Sequence, residues 1–237
     1  MRRPNSPQRK WHLGLCCLLS AILRVTTILL VPTMSVEAAV NGTEAAVIDG
    51  EIDHTDALVQ LLSSIQSVTA NYAQITLDKD SRVVQQLDGN LSVNGPGRFR
   101  LESLAPSAQT LVSDGDSFWS YDSDLEQVII SPLQRDITQV PILLLGGDAS
   151  AIAASYQVAY DQQAGRDLYR LTPLDTSSLF DSLTLAFVAG EPRAIILRDS
   201  LGQQTQIEMT RVVLNQPISE DTFIFTPPAG VDVIDDR

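Results

Sequence analysis

The stretch LVSDGDSFWSYDSDLEQVIISP, residues 111–132, decides the fold of this chain. It predicts two strands, at residues 117–121 and 125–130, because aromatic and aliphatic side chains are concentrated in both runs. The Asp-Ser-Asp sequence at residues 122–124 has the composition of a turn between them. Asp114-Gly115 is a second turn signal, so residues 111–113 are expected to end a further strand of the same antiparallel meander.

Directly after this hairpin comes an apolar but interrupted segment, PLQRDITQVPILLLGGDASAIAASY, residues 132–156. It is too apolar for an ordinary loop, and Pro141 together with Gly146 and Gly147 prevents it from forming one helix. An aromatic sheet followed by such a flap indicates a surface that is covered and uncovered. We therefore expect the functional site at this place.

The rest of the chain extends the meander. Residues 53–56 predict a helix start with Asp53 or Thr55 as N-cap, and apolar residues from Leu58 to Val68 predict an amphipathic helix of about 14 residues. Period-two patterns with short turns then predict a mainly β (α+β) fold, one antiparallel meander of ten or eleven strands that curls on itself. The predicted strands are residues 70–77, 83–93, 98–104, 109–113, 117–121, 125–130, 156–160, 168–172, 182–188, 193–198 and 203–214, followed by a short extended tail.

The first residues have the pattern of a targeting segment. Basic residues precede an apolar run over residues 13–31, and the residues up to Ala38 fit a cleavage site, so residues 1–39 are expected to be a cleaved signal peptide. A retained membrane helix is the alternative, and it would bury Arg24 at a cost of roughly 2.5–3.5 kcal/mol. A lipoprotein signal is the other alternative, which Leu15 before Cys16 fits poorly.

After cleavage the chain would be acidic and free of cysteine. Cys16 and Cys17 lie in the predicted signal peptide, whose removal also takes away five basic residues and one acidic residue and changes the net charge from −13 to −17. This charge disfavours nucleic acid and anionic membrane surfaces, and no later segment has the roughly 18 apolar residues of a membrane span. Residues 40–52 predict a mobile leader, and residues 53–237 predict a single monomeric domain.

Catalysis has few side chains available. His54 is the only histidine after the signal peptide, and no cysteine or second histidine remains to pair with it. No nucleophile elbow, phosphate-binding glycine loop or dinucleotide fingerprint occurs. The pairs Asp114/Asp116 and Asp122/Asp124 are open to two interpretations, calcium ligands or turn residues. We expect no catalytic residue, metal or cofactor, and a hydrolase acting through His54 or an acidic residue is the alternative.

The most prominent feature of the remaining sequence is the number of apolar residues in the predicted strands. Alternate residues of the predicted strands are apolar, which would make one face of the curled sheet apolar across its width. A single helix cannot cover such a face. The flap must cover the rest, which favours a cavity that opens over an ordinary core. The predicted cavity residues are Phe99, Leu101, Trp119, Tyr121, Val128, Ile130, Leu183, Leu185, Phe187, Ile207 and Met209, and the predicted lid residues are Ile142, Leu143, Leu144 and Leu145.

Five stretches of the sequence carry a resemblance to a known family. They are SVTANYAQ after the helix, LSVNGPGRF at residues 91–99, LVSDGDSFWSYDSDLEQV from residue 111, PILLL in the flap, and DTFIFTPPAGVDV near the end. Together they resemble the LolA family of lipoprotein carriers of the outer membrane. The likeness covers residues 56–232, and the run from residue 111 combined with the FxFxPPxGV ending is the specific part. The resemblance implies an unclosed antiparallel β-barrel with short lid helices over a hydrophobic cavity.

The resemblance also implies a function. Such proteins are periplasmic chaperones that accept acylated lipoproteins from an inner-membrane ABC exporter (the Lol exporter), shield the acyl chains and deliver them to the outer-membrane receptor LolB. By position, Phe99 and residues 142–144 match acyl-contacting or gating residues. Gly95 stands where the family often has an arginine that holds the lid, so either Arg98 or Arg100 replaces it or packing alone holds the lid. A periplasmic sensor or binding module for lipids or lipoproteins on the same fold is the alternative.

Overall fold

The structure, a computed structural model, describes residues 54–104, 108–133, 141–146, 149, 152–178 and 180–237. The predicted signal peptide and leader lie outside the described residues and stay predictions. The described elements are α1 (Thr55–Ser63), β1 (Ser67–Leu77), β2 (Val83–Asn94), β3 (Arg98–Ser103), β4 (Gln109–Asp114), β5 (Ser117–Asp122), β6 (Gln127–Pro132), a 3₁₀ helix (Pro141–Leu144), α2 (Ile152–Ser155), β7 (Tyr156–Gln163), β8 (Arg166–Pro173), β9 (Phe180–Val188), β10 (Glu191–Asp199), β11 (Gln204–Leu214), a second 3₁₀ helix (Glu220–Phe223) and β12 (Asp232–Asp235).

The twelve strands form one sheet in the order β12-β6-β5-β4-β3-β2-β1-β11-β10-β9-β8-β7. Two runs of sequential hairpins, β1–β6 and β7–β11, meet where β1 pairs with β11. The strands at the two ends of this order, β12 and β7, are not paired with each other, so the sheet is unclosed. The prediction of a curled, mainly β meander is confirmed, with one strand more than expected. The additional strand, β12, comes from the extended tail and pairs parallel to β6.

Helix α1 is shorter than its sequence pattern predicts. It has nine residues rather than 14, because the chain turns after Ser63 and Val68 already belongs to β1. Its N-cap is His54, which makes no side-chain capping hydrogen bond, so the assignment of Asp53 or Thr55 as N-cap is wrong. None of the helices in the described ranges is long and apolar enough to cross a membrane.

The pairing register divides the side chains of the sheet between two faces. In an antiparallel sheet, directly paired residues share a face and alternate residues point to opposite faces. We call the face that packs against α1 and residues 142–145 the inner face. Its largest fully buried side chains, together with those that cover it, form one hydrophobic cluster that includes Leu58, Leu62, Leu91, Phe99, Leu145, Ile152, Leu171, Leu183, Leu185, Phe187 and Ile195.

The outer face of β3–β6 is covered by the C-terminal tail. Phe223 is buried there, and the guanidinium carbon of Arg98 lies 6.0 Å from the centroid of its ring. Farther along, the ring centroids of Tyr121 and Phe225 are 5.9 Å apart. The tail ends as β12, which covers the edge of β6 that would otherwise be free to pair with another chain.

The aspartate pairs of the central hairpins serve as turn residues. Asp114 Oδ1 accepts hydrogen bonds from the backbone N–H groups two and three residues further on, at 3.0 and 2.9 Å. Asp122 Oδ1 does the same at 3.0 Å for both. These bonds are typical of Asx turns, and no group of three or more metal-ligating side chains is found in the part of the chain that the structure describes.

Candidate functional site

The inner face carries seven of the predicted cavity residues. Phe99 is paired with Val93, and Val93 with Val68, so these three share the face. Across the β1–β11 pairing, Tyr72 lies opposite Met209. The same register places Leu101, Leu183, Leu185, Phe187 and Ile207 on this face. The apolar surface that the sequence predicts is therefore present across β3, β2, β1, β11, β10 and β9.

Four other predicted cavity residues lie on the outer face instead. Phe99 is paired with Ser113, and Ser113 with Phe118, so Phe118 continues the inner face and the next residue points away from it. The rings of Phe99 and Phe118 accordingly have centroids 6.0 Å apart. The prediction of a shared face is therefore wrong for the outward-pointing residues Trp119, Tyr121, Val128 and Ile130.

The predicted lid residues cover the inner face. Ile142, Leu143, Leu144 and Leu145 are between 0 and 7% exposed, and they belong to the same hydrophobic cluster as the strands beneath them. Next to them, Gly146 adopts a positive φ of 91°, and a Cβ at this position would lie 3.2 Å from Val93 Cγ1. The lid thus reaches directly onto the apolar end of β2.

Among the described residues, no hydrogen bond joins either arginine near Gly95 to residues 142–145. Arg98 donates to the Asn94 carbonyl oxygen at 3.1 Å and to the Glu220 carboxylate at 2.5 Å. Arg100 donates to Glu102 Oε1 at 2.7 Å and to the carbonyl oxygen of residue 222. These partners lie in neighbouring turns and in the C-terminal tail, which favours the alternative that packing alone holds the lid. Residues 142–145 are packed within the hydrophobic cluster.

The inner face changes from apolar to polar along β1, which the sequence reasoning missed because it counted apolar residues alone. The inner-face residues of this strand are, in chain order, Val68, Ala70, Tyr72, Gln74 and Thr76. Gln74 Nε2 donates to Gln85 Oε1 at 3.4 Å, and the hydroxyls of Thr76 and Thr205 are 3.2 Å apart. Burial raises the pKa of Tyr72 to about 12, with a smaller contribution from Asp88. Along β1 the inner face therefore has one apolar end and one polar end, whereas its β8–β10 part stays apolar at the level of Gln74 and Thr76.

His54 takes part in ring packing. Its ring centroid is 5.0 Å from that of Tyr160, which is 5.2 Å from that of Tyr169, and Tyr169 meets Phe187 edge-on at 6.0 Å. The Tyr160 hydroxyl donates to Asp167 at 2.8 Å, and this bond raises the pKa of Tyr160. These contacts make His54 the outer end of an aromatic ladder that reaches the inner face.

Comparison with known proteins identifies the family. The family model of the outer membrane lipoprotein carrier protein LolA matches residues 63–226. The outer-membrane lipoprotein carrier protein of Hahella chejuensis is 42% identical over 181 residues, which cover 76% of this chain and 87% of that protein. The protein of the same name from Pseudomonas paraeruginosa is 38% identical over 205 residues, with 86% and 98% covered.

Among solved structures, an uncharacterized conserved protein from Thermus thermophilus shares 14% sequence identity. The match has a TM-score of 0.47 and covers 77% of this chain and 97% of that one. The family model spans well over half of this chain, and the sequence relatives are matched over most of their own length. The chain therefore belongs to the LolA family of outer membrane lipoprotein carrier proteins.

Proposed function

We propose that this protein is a periplasmic carrier that binds the acyl chains of lipoproteins against its inner face and catalyses no reaction. Family membership and the continuous apolar inner face support this proposal. The observation that carries it is the lid: four consecutive apolar residues are buried over the inner face on a short 3₁₀ turn outside the sheet. Such a segment can leave the inner face without breaking a strand pairing.

The energetics of acyl chains require this kind of surface. Burial of one methylene group contributes about 0.8 kcal/mol, so the chains of an acylated cysteine need a large apolar host in water. In the closed structure, residues 142–145 belong to the same hydrophobic cluster as Phe99 and Phe187, and the acyl chains would take their place in it. Loading then exchanges lid leucines for acyl methylenes. Because one apolar group replaces another, the net free energy is small enough for the cargo to be released.

Family membership supports a route for the cargo. We propose that the carrier accepts acylated lipoproteins from an inner-membrane ABC exporter and delivers them to the outer-membrane receptor LolB. The acidic chain favours this soluble role over attachment to an anionic membrane surface. A carrier of this kind works as a monomer with one cargo molecule.

The direct test is co-purification. The mature protein is isolated from the periplasm of cells that express a tagged lipoprotein, and the bound material is analysed by mass spectrometry. We expect triacylated lipoprotein in a 1:1 complex. Recovery of the protein without acylated cargo, under conditions where the lipoprotein is shown to be released from the inner membrane, would contradict the proposal.

A matched pair of variants tests the lid. We expect Leu143→Glu to lose cargo loading while the sheet stays folded, because a carboxylate is unfavourable on the apolar inner face. Leu201→Glu is the control, since Leu201 lies in the β10–β11 turn and is 67% exposed. Circular dichroism checks the fold of both. If Leu143→Glu carried acylated cargo as well as the wild type, the lid would have no gating role.

A further inference from the structure

The polar side chains of the inner face lie at the end of β1 that is farther from the lid. Gly146 approaches Val93, which is paired with Val68, so the lid contacts the beginning of β1. Thr76 lies eight residues later, roughly 26 Å away at about 3.3 Å per residue. Gln74 and Thr76 are buried there and bond to side chains of the neighbouring strands.

Tyr72 stands between the two ends. Its side chain is 6% exposed, and its hydroxyl makes no hydrogen bond to any other residue in the described ranges. In those ranges every fully enclosed polar side-chain atom has a partner, so the hydroxyl oxygen keeps some accessible surface. The ring lies against Gly89, where a Cβ would be 2.8 Å from Tyr72 Cε1. Tyr72 is thus held in place with a free donor on the inner face, and like any tyrosine it is protonated at neutral pH.

An acylated cysteine has two kinds of surface that match this gradient. Its hydrocarbon chains need apolar surroundings, whereas the ester and amide carbonyl groups at their heads accept hydrogen bonds and are costly to bury without a donor. We propose that Tyr72 and Gln74 form the subsite for these carbonyl groups, with the chain ends directed toward Phe99 and the lid. This inference rests on the proposed function and adds the orientation of the cargo within the carrier.

The first test measures binding of two probes to the mature protein. One probe is a synthetic triacylated lipopeptide, and the other is N-phenyl-1-naphthylamine, an apolar dye without a carbonyl group. We expect Tyr72→Phe to weaken lipopeptide binding roughly three- to tenfold, the effect of one hydrogen bond, and to leave dye binding unchanged. Gln74→Leu should act in the same direction. Leu201→Ala, in the β10–β11 turn at a position that is 67% exposed, is the control and should bind both probes like the wild type.

The outcomes distinguish failure of the subsite proposal from failure of the carrier proposal. If the wild type fails to bind the lipopeptide, the carrier proposal and the subsite both fail. If the wild type binds it and Tyr72→Phe and Gln74→Leu bind it equally well, only the subsite is wrong. A parallel loss of dye and lipopeptide binding would likewise overturn the subsite, because it would show a general change of the inner face.

A second test examines orientation. A lipopeptide with a photoreactive diazirine at the end of one acyl chain is bound and irradiated, and the labelled peptides are identified by mass spectrometry. We expect labels on β3 near Phe99 or on residues 142–145. Labels concentrated at Gln74 and Thr76 would show that the chains run in the opposite direction and would overturn the proposal.

Discussion

Replacement of Leu145 by alanine distinguishes a movable lid from a permanent part of the core. Leu145 is 0% exposed, and a buried leucine-to-alanine change costs about 2–5 kcal/mol. If residues 142–145 form a lid, this cost falls on the docking of the lid, because the sheet keeps all its strand pairings in the open state. A loss of about 2 kcal/mol alone shifts the closed–open equilibrium by roughly thirtyfold.

Leu183 provides the matched control. It is also fully buried on the inner face, but it lies in the interior of β9, between β8 and β10. Leu183→Ala should therefore lower the free energy of global unfolding by the full cost of about 2–5 kcal/mol. For Leu145→Ala, the loss in global unfolding cannot exceed the free energy of lid docking.

Two measurements decide between these outcomes. Urea denaturation gives the free energy of global unfolding, and the fluorescence of a hydrophobic dye reports access to the inner face. We expect Leu145→Ala to bind more dye than the wild type, with faster hydrogen exchange in residues 142–145 and unchanged exchange in β9. If Leu145→Ala were as globally destabilised as Leu183→Ala and bound no additional dye, residues 142–145 would be ordinary core and the lid reasoning would be refuted.

Three further predictions concern the sheet and its outer face. Phe223→Ala should lower the free energy of unfolding by about 3–5 kcal/mol in urea without loss of lipopeptide binding, because Phe223 lies on the outer face; Ile224→Ala, at a position that is 60% exposed, should stay within about 0.5 kcal/mol of the wild type. Folding raises the pKa of Tyr72 from its ordinary value of 10.0 to about 12. The stability that the neutral phenol contributes is therefore complete below pH 10 and is lost as the pH rises from 10 to about 12. The free energy of unfolding should thus fall less steeply with alkaline pH in Tyr72→Phe than in the wild type. Gly89→Ala should yield no folded protein by circular dichroism, since its Cβ would lie 2.0 Å from the carbonyl oxygen of Glu102; a folded, dye-binding Gly89→Ala would contradict the geometry of β2 and β3.

Local signals in the sequence predict most of the strands. Turn residues such as Asp114 and Asp122 act within a few positions of themselves, so the hairpins they form are readable from the chain, and strand limits agree within a few residues. The end of α1 is not readable in this way. Val68 continues the helical spacing of apolar residues, but its burial comes from pairing within the sheet.

The sequence also does not indicate which residues of β5 and β6 point to the inner face, for a different reason. Both faces of these strands are apolar, because Phe118 is buried on the inner face while the tail covers Tyr121 on the other side. Alternation identifies an inner face only where the opposite face meets water. The contact that makes the outer face apolar comes from Phe225, about a hundred residues away in the chain, and no local pattern indicates it.

The single pairing of β1 with β11 also has a consequence for folding kinetics. Every other antiparallel neighbour in the sheet follows its partner directly in the chain, whereas Val68 must meet Leu214 across nearly the whole described sequence. Closing so long a loop is slow compared with forming hairpins. The two halves of the sheet would thus form early and independently, and their joining at this seam would limit the rate at which the chain reaches its native state.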